Sequence, residues 1–382
     1  MKEWRNKNLG SISIQIQTGP FGSQLHQSDY SDIGTPVIMP KDIVDGKISD
    51  DSIARVEEAH VNRLARHKVN EGDIIYPRRG DVRKCAYTVA EQSGWLCGTG
   101  CLRVTIDNKK AVPKYVFYHL QEEKTRGWIE KHAIGATMLN LNTSILSNIP
   151  LRIPRLDVQK KIATTLSRYD SLIDNYQKQI KLLEEAAQRL YKEWFVNLRF
   201  PGHENTKIVD GVPEGWEKKS ITDILDIKYG KDHKSLKEGD IPVFGTGGIM
   251  RYVNKGLHSG ETVLIPRKGS LNNIMLFNGT FWTIDTMFFT IPKEENVAKI
   301  AYHFLKRQDM YSYNIGAAVP SMTINILHSM KLLLPTMDIR QLFENSIGKF
   351  YCAIEKLDFQ LRLLTESRDR LLPKLLSGEI EV

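Results

Sequence analysis

The sequence contains no run of about 18 uncharged apolar residues, which excludes a membrane-spanning helix. Its opening residues, Met1-Lys2-Glu3-Trp4-Arg5-Asn6-Lys7, carry charge throughout and lead into no signal-peptide core, so a cytoplasmic protein is expected. Cysteine is scarce, with four in 382 residues, at positions 85, 97, 101 and 352. That is no disulfide framework in a chain without a secretory leader. Cys97 and Cys101, with Cys85 upstream, lack the second close pair of a structural zinc site, and Cys97-Gly98-Thr99-Gly100-Cys101 lies in an apolar, strand-like run. They read as buried free thiols. Neither sign of charge dominates: 53 Lys plus Arg against 45 Asp plus Glu leave +8, which permits a polyanionic partner without demanding one. With 41% hydrophobic and 26% charged residues, a disordered tail and a collagen-like chain are both excluded.

Catalytic motifs are missing too. Gly245-Thr246-Gly247-Gly248 and Gly98-Thr99-Gly100 lack the third glycine and the helix context of a dinucleotide fingerprint. There is no Walker A loop, no His-Glu-x-x-His helix and no Gly-x-Ser-x-Gly elbow. The Asn/Asp-Pro-Pro-aromatic stretch with which an amino-methyltransferase grips a flipped base is also absent. Pro40-Lys41-Asp42 and Asp45-Gly46-Lys47 outline a nuclease carboxylate pair only faintly, because the two Asp are three apart and the second half has no counterpart. The chain reads as a non-enzyme, with no catalytic residue and no metal site.

What is present occurs twice. Ile134-Gly135-Ala136 through Ile145-Leu146 to Pro154 recurs as Ile315-Gly316-Ala317 through Ile326-Leu327 to Pro335, at a constant offset of 181. Upstream, Ile74-Ile75-Tyr76-Pro77-Arg78-Arg79-Gly80 matches Val263-Leu264-Ile265-Pro266-Arg267-Lys268-Gly269, and Tyr118-His119-Leu120 matches Tyr302-His303-Phe304. Trp4 and Trp216 stand near the start of each half. A period this long is a tandem duplication of one whole domain plus a trailing element.

The trailing element is a heptad seam. Ile162, Leu166, Tyr169, Ile173, Tyr176, Ile180, Leu183, Ala187, Leu190 and Trp194 follow one another in alternating steps of four and three. The same positions in the second half are Phe343, Ile347, Phe350, Ile354, Leu357, Leu361, Leu364, Arg368, Leu371 and Leu375, and only Arg368 breaks the pattern. Asp157 and Asp338, just after Pro154 and Pro335, suit helix starts. Pro201-Gly202 is expected to end the first helix, and Pro373 with Gly378 to bend or end the second. The two helices are expected to pair antiparallel as a rod about 50 Å long between two globular domains related by a pseudo-twofold axis, with the C-terminus returning to the first domain.

The globular halves read as α+β. Residues 74–76, 102–106, 263–265 and 287–291 are strand-like, and 116–121 and 298–306 look helical. The expected organisation is a globular domain over 1–155, a spacer helix over 156–200, a linker over 201–215, a second globular domain over 216–335 and a second helix over 336–382.

Polar loops recur at matched places. Arg78-Arg79 and Arg267-Lys268 follow a strand in Pro-x-x-Gly loops, where arginine can take guanine O6 and N7 or a phosphate. Asn140, Asn142 and Thr143, with Ser321 and Thr323 aligned, form a second polar loop, and asparagine there can pair with adenine. Gly19-Pro20-Phe21-Gly22-Ser23-Gln24, Lys41 and Tyr229-Gly230-Lys231 are further candidates for DNA contact. The framework repeats while the loops differ, as expected of two similar readers of two different sequences.

Duplicated domains each trailed by a long helix, the segment from Leu190 through Tyr191-Lys192-Glu193-Trp194-Phe195 to Glu204, and the ending Arg370-Leu371-Leu372-Pro373-Lys374-Leu375-Leu376-Ser377-Gly378-Glu379-Ile380 together resemble the specificity (S) subunits of Type I restriction–modification systems. The resemblance implies that each globular half is a target recognition domain reading one part of a bipartite site in double-stranded DNA. It further implies that the helices set the spacing and dock two methyltransferase (M) subunits through seam residues. Those M subunits would carry S-adenosylmethionine, and restriction (R) subunits would use ATP and Mg; this chain would hold no cofactor. Two other readings are a Type IIB-like recognition subunit and a coiled-coil scaffold that binds no DNA.

Overall fold

A computed structural model describes residues 4–21, 24–316 and 318–382. It divides into two compact units, Met1–Asn175 with Gln360–Val382, and Tyr176–Phe359.

In the first unit, the strand Arg5–Asn8 pairs antiparallel with Pro150–Ile153, and a short helix, Leu9–Ile12, leads into β1 (Ser13–Thr18). With β2 (Ile74–Pro77), β3 (Ala86–Tyr87) and β4 (Cys101–Ile106), β1 forms an antiparallel sheet in the order β1-β4-β2-β3. The apolar run of β2 is explained by burial on both faces. Ile74 and Tyr76 enter one core cluster while Ile75 enters another, as the two-residue period of a strand requires. Helices α1 (Pro113–Gln121) and α2 (Glu123–His132) pack into the same cluster as Ile74, and α3 (Leu156–Tyr191) follows. A second small sheet is built from Tyr30–Ser31, Thr35–Ile38, Ala54–Val56 and Leu96–Cys97.

The second unit repeats the plan. Glu217–Ser220 pairs with Lys331–Leu334, and the short helix Ile221–Ile224 leads into β5 (Leu225–Tyr229). Then come β6 (Ile241–Gly245), β7 (Gly248–Val253), β8 (His258–Pro266), β9 (Met275–Thr283) and β10 (Met287–Pro292), in the order β5-β10-β8-β9-β6-β7. The first four places match β1-β4-β2-β3. Val263 and Ile265 on β8 enter one cluster and Leu264 another, as on β2. Helix α4 (Ala298–Lys306) covers the sheet, and α5 (Met337–Ser377) closes the chain.

The two long helices run antiparallel in each unit. In the first, Lys161 Nζ donates to the Val382 carbonyl at 3.3 Å, and Arg368 Nη1 meets Asp170 Oδ1 at 3.1 Å. Arg368 breaks the apolar seam because it holds this ion pair. In the second, the ring of Phe343 lies 5.6 Å from that of Trp194, and Glu184 feels the charge of Asp358. Ile162, Leu166 and Ile173 of the seam are buried in one unit and Trp194, Phe343, Ile347 and Ile354 in the other; all but Ile173 and Ile354 lie within a globular core. Ile180, Leu183, Leu190, Phe350, Leu357, Leu361, Leu364 and Leu371 are half-buried, Leu190 and Phe350 against the second unit's core and Leu371 against the first unit's. Leu375 and Leu376 join the first unit's core, so the C-terminal segment does return to the first globular domain.

The helix ends differ from expectation. The regular helix stops at Tyr191, before Pro201-Gly202, and a π-turn over Lys192–Val196 brings Trp194 and Phe195 into the core. Pro373 lies inside α5 and does not end it. Gly378 does, at φ +81°, where a Cβ would also strike the Trp4 indole at 2.9 Å.

The repeated Tyr-His pairs are core residues. His119 Nε2 accepts the Arg152 N–H at 3.3 Å, and His303 Nε2 shares a hydrogen bond with the Tyr351 hydroxyl at 2.9 Å. Burial holds both imidazoles neutral, pushing His119 down to about 4 and His303 to about 3. The unfolded chain therefore takes up these protons first. Stability is full above about pH 6.5 and is lost as the pH falls towards 4, by about 2 kcal/mol per histidine on reaching pH 5. Denaturant midpoints measured between pH 7 and pH 5 should fall accordingly, and a flat profile would contradict neutral burial.

Candidate nucleic-acid interface

Three loops meet at one end of the main sheet in each unit. The chain leaves β1 at Gly19, whose N–H donates to the Cys101 carbonyl at 2.9 Å, and leaves β5 at Gly230, whose N–H donates to the Met287 carbonyl at 3.0 Å. A Cβ would lie 2.0 Å from the Gly98 oxygen at the first position and 2.0 Å from the Ile284 oxygen at the second, so only glycine lets the loop pass. Where β2 ends, the Arg78 N–H donates to the Gly100 carbonyl at 2.6 Å; where β8 ends, the Arg267 N–H donates to the Thr286 carbonyl at 2.8 Å.

The third loop is laced to the second. The Leu141 N–H donates to the Arg78 carbonyl at 2.8 Å and the Gly80 N–H to the Leu139 carbonyl at 3.1 Å, which sets Arg79 opposite Asn140. In the second unit the Met322 N–H donates to the Arg267 carbonyl at 2.9 Å and the Gly269 N–H to the Pro320 carbonyl at 2.8 Å, setting Lys268 opposite Ser321. Because side chains alternate across such a ladder, Leu141 and Met322 go into the core and Arg79 and Lys268 come out. Among the described residues neither cation has an ion-pair partner.

The other candidates fall into distinct groups. Arg78 and Arg267 are half-buried. Arg267 spends one donor on the Asp285 carbonyl at 2.9 Å and lies 5.3 Å over the ring of Tyr229, itself half-exposed. Lys231 is exposed, and its backbone is fixed by the Thr283 carbonyl and the Trp282 indole N–H. Asn140 donates one amide hydrogen to the Met138 carbonyl at 2.8 Å, and the Ser321 N–H donates to Asn314 Oδ1 at 2.8 Å. Thr143 is the first residue of a short helix, and Thr323 is the exposed N-cap of another.

Three further candidates already have contacts within the fold. Asn142 caps the helix Thr143–Ser147, its Oδ1 accepting the Ile145 N–H at 2.8 Å, which spends one of that carbonyl's two lone pairs. The Lys41 ammonium is held by the Ser52 carbonyl at 2.9 Å, with Asp42 at 4.0 Å. Gln24 is half-buried and its Oε1 is shielded from solvent without a partner, which turns its acceptor inward. Residues 22 and 23 of that loop lie outside the described residues.

Exposed apolar residues on the third loop were not anticipated. Ile134 and Met138 are 62% and 56% exposed, and their counterparts Ile315 and Val319 are 63% and 54% exposed. The repeated Ile-Gly-Ala marked their place, but nothing in it told surface from core. Burial pushes the Cys85 and Cys97 thiols up to about 12 and raises Cys101 as well, in keeping with inert core thiols, whereas Cys352 is exposed. No group of three His, Cys, Asp or Glu is placed to hold a metal among the described residues, and none of their helices is long and apolar enough to cross a membrane.

The family model described as the Type I restriction modification DNA specificity domain matches residues 1–185 and 213–355. The chain is 24% identical over 416 residues to the Type I restriction enzyme MjaIX specificity subunit of Methanocaldococcus jannaschii, with 100% of this chain and 94% of that protein covered. It is 22% identical over 470 residues to the Type I restriction enzyme HindI specificity subunit of Haemophilus influenzae, with both chains covered in full. The crystal structure of the Type I restriction-modification system S subunit from M. genitalium shares the fold, with a TM-score of 0.61 at 18% identity over 98% of this chain and 96% of that one.

Arg79→Ala and Lys268→Ala are each expected to lower the slope of log K against log salt by about one for a random-sequence duplex. Filter binding across a salt series reads this, and an unchanged slope would remove these side chains from the interface.

Proposed function

Since the chain belongs to the Type I restriction modification DNA specificity family, we propose that it is the DNA-reading subunit of a Type I restriction–modification complex, each unit reading one half of a bipartite site. The observation that carries this reading is the laced pair of loops, present in both units, which turns one unpaired cation outward beside a polar residue: Arg79 with Asn140, and Lys268 with Ser321. The polar residue beside that cation differs between the units, Asn140 in one and Ser321 in the other, so the two half-sites differ in sequence. Arg78 and Arg267, half-buried at the strand ends, read a base edge, while Arg79 and Lys268 meet phosphate.

The chain itself carries no reaction. Two methyltransferase subunits supply S-adenosylmethionine chemistry on the bound site, and restriction subunits supply ATP- and Mg-dependent movement and cleavage. The lengths of α3 and α5 set the number of base pairs between the half-sites, and the half-buried seam surface docks the methyltransferase subunits. The complex works in the cytoplasm, where the host DNA is.

Methylation-aware sequencing of host DNA should reveal one split motif that disappears when the chain is deleted. Exchanging residues 216–335 for another second half should change only the second half of that motif, and an exchange that altered neither half would sink the reading. Removing one turn from both α3 and α5 should shorten the gap and keep both half-motifs. Arg78→Ala or Arg267→Ala should relax one half-site by about 1–3 kcal/mol of discrimination, read from competition with single-base variants.

A further inference from the structure

We propose that the hairpins Ile134–Asn140 and Ile315–Ser321 are wedges that press paired apolar side chains, Ile134 with Met138 and Ile315 with Val319, between stacked bases of the bound duplex. The inference rests on the DNA-reading function proposed above and adds to it a contact that bends or unstacks the site. A single exposed apolar residue needs no explanation. Here two occur at the same two positions of both hairpins, each more than half exposed.

The hairpins are built to hold these side chains out. Ile134 and Asn140 exchange both backbone hydrogen bonds, at 3.0 and 2.8 Å. In the second unit the Ile315 N–H donates to the Ser321 carbonyl at 3.1 Å, while Asn314 Oδ1 accepts the N–H groups of both Gly316 and Ser321 at 2.8 Å. A Cβ at Gly135 would lie 2.2 Å from the Met138 oxygen, and one at Gly316 would lie 2.0 Å from the Val319 oxygen, so only glycine permits either approach. Leu139 and Leu141, and likewise Met322, point the other way and anchor the loop in the core.

Charge identifies the partner. Across the ladder stand the unpaired Arg79 and Lys268, and Lys131 lies exposed just before the first hairpin. No Asp or Glu occurs between residues 131 and 143 or between 310 and 323. An apolar tip flanked by cations and free of carboxylates matches a polyanion with a stacked apolar interior: the cations take phosphates while the tip enters a base step. Such a wedge favours easily unstacked pyrimidine–purine steps, so each half-site would show a preference at a position read by no hydrogen bond.

The test uses the full chain assembled with its methyltransferase subunits and a duplex carrying the host's methylated motif, with 2-aminopurine in one half-site at a time. Wild-type binding no tighter than to a scrambled duplex would refute the DNA-reading function itself. Given specific binding, a rise in 2-aminopurine fluorescence is expected in both half-sites. Ile134→Ser with Met138→Ser should abolish the rise in one half-site only and weaken binding at least about tenfold at an unchanged salt slope; Ile315→Ser with Val319→Ser should do the same in the other. The half-site that keeps its signal shows that each variant is folded. Unchanged fluorescence and affinity would overturn the wedge, and so would variants that fail to assemble with the methyltransferase subunits in the absence of DNA, which would place the tips in a protein interface.

Discussion

In each unit the loop after the central strand is hydrogen-bonded to a second loop on both sides of one outward residue. Through the Arg78 carbonyl with the Leu141 N–H, and the Arg267 carbonyl with the Met322 N–H, the end of β2 or β8 is joined to a segment some 60 residues further along the chain. The bonds hold because Leu141 and Met322 are buried beneath them, so opening the ladder would expose a core side chain as well as break hydrogen bonds. Everything on the proposed reading edge depends on this register. A slip of one residue would turn Arg79 or Lys268 inward and an apolar side chain outward.

The same economy governs the long helices. Some of their seam residues are nearly inaccessible; the others are half-buried and leave apolar surface over. Polar ties fix their placement within each unit. Arg368 pairs with Asp170, which also accepts the Tyr118 hydroxyl at 2.5 Å. Lys299 on α4 bridges Glu261 on β8 and Glu344 on α5, each at 2.5 Å, and so binds helix to helix and helix to sheet. Desolvation works against the Lys299 charge, but the two carboxylates outweigh it and raise its pKa. Losing either partner would leave a largely buried charge less compensated, which costs more than an exposed pair of this kind contributes.

The units share a frame and differ in what is attached to it. The first carries a separate small sheet containing Thr35–Ile38, and the second extends its main sheet with the β6–β7 hairpin. Neither addition disturbs the order of the four common strands, because both attach where a strand edge or a long connection is free to accept them.

Much of this was legible in the linear sequence. Strand runs at 74–76 and 263–265, the helix over 298–306, the heptad seam and the matched Pro-x-x-Gly loops follow from periods of 2 and 3.5 and from turn chemistry, which act between near neighbours. The small sheet was not legible, because its strands are short and its pairings span distant segments. The same limit applied to single side chains. Asn142 and Asn140 are the same residue type in the same loop, yet one caps a helix and the other faces an arginine. Ile134 and Ile145 look alike in a repeat, yet Ile134 is exposed and Ile145 packs against the core. Periodicity by itself determined the elements and their duplication. Which polar groups were left unpaired, and which apolar ones uncovered, was decided only by long-range pairing, because burial is a property of what another part of the chain brings alongside.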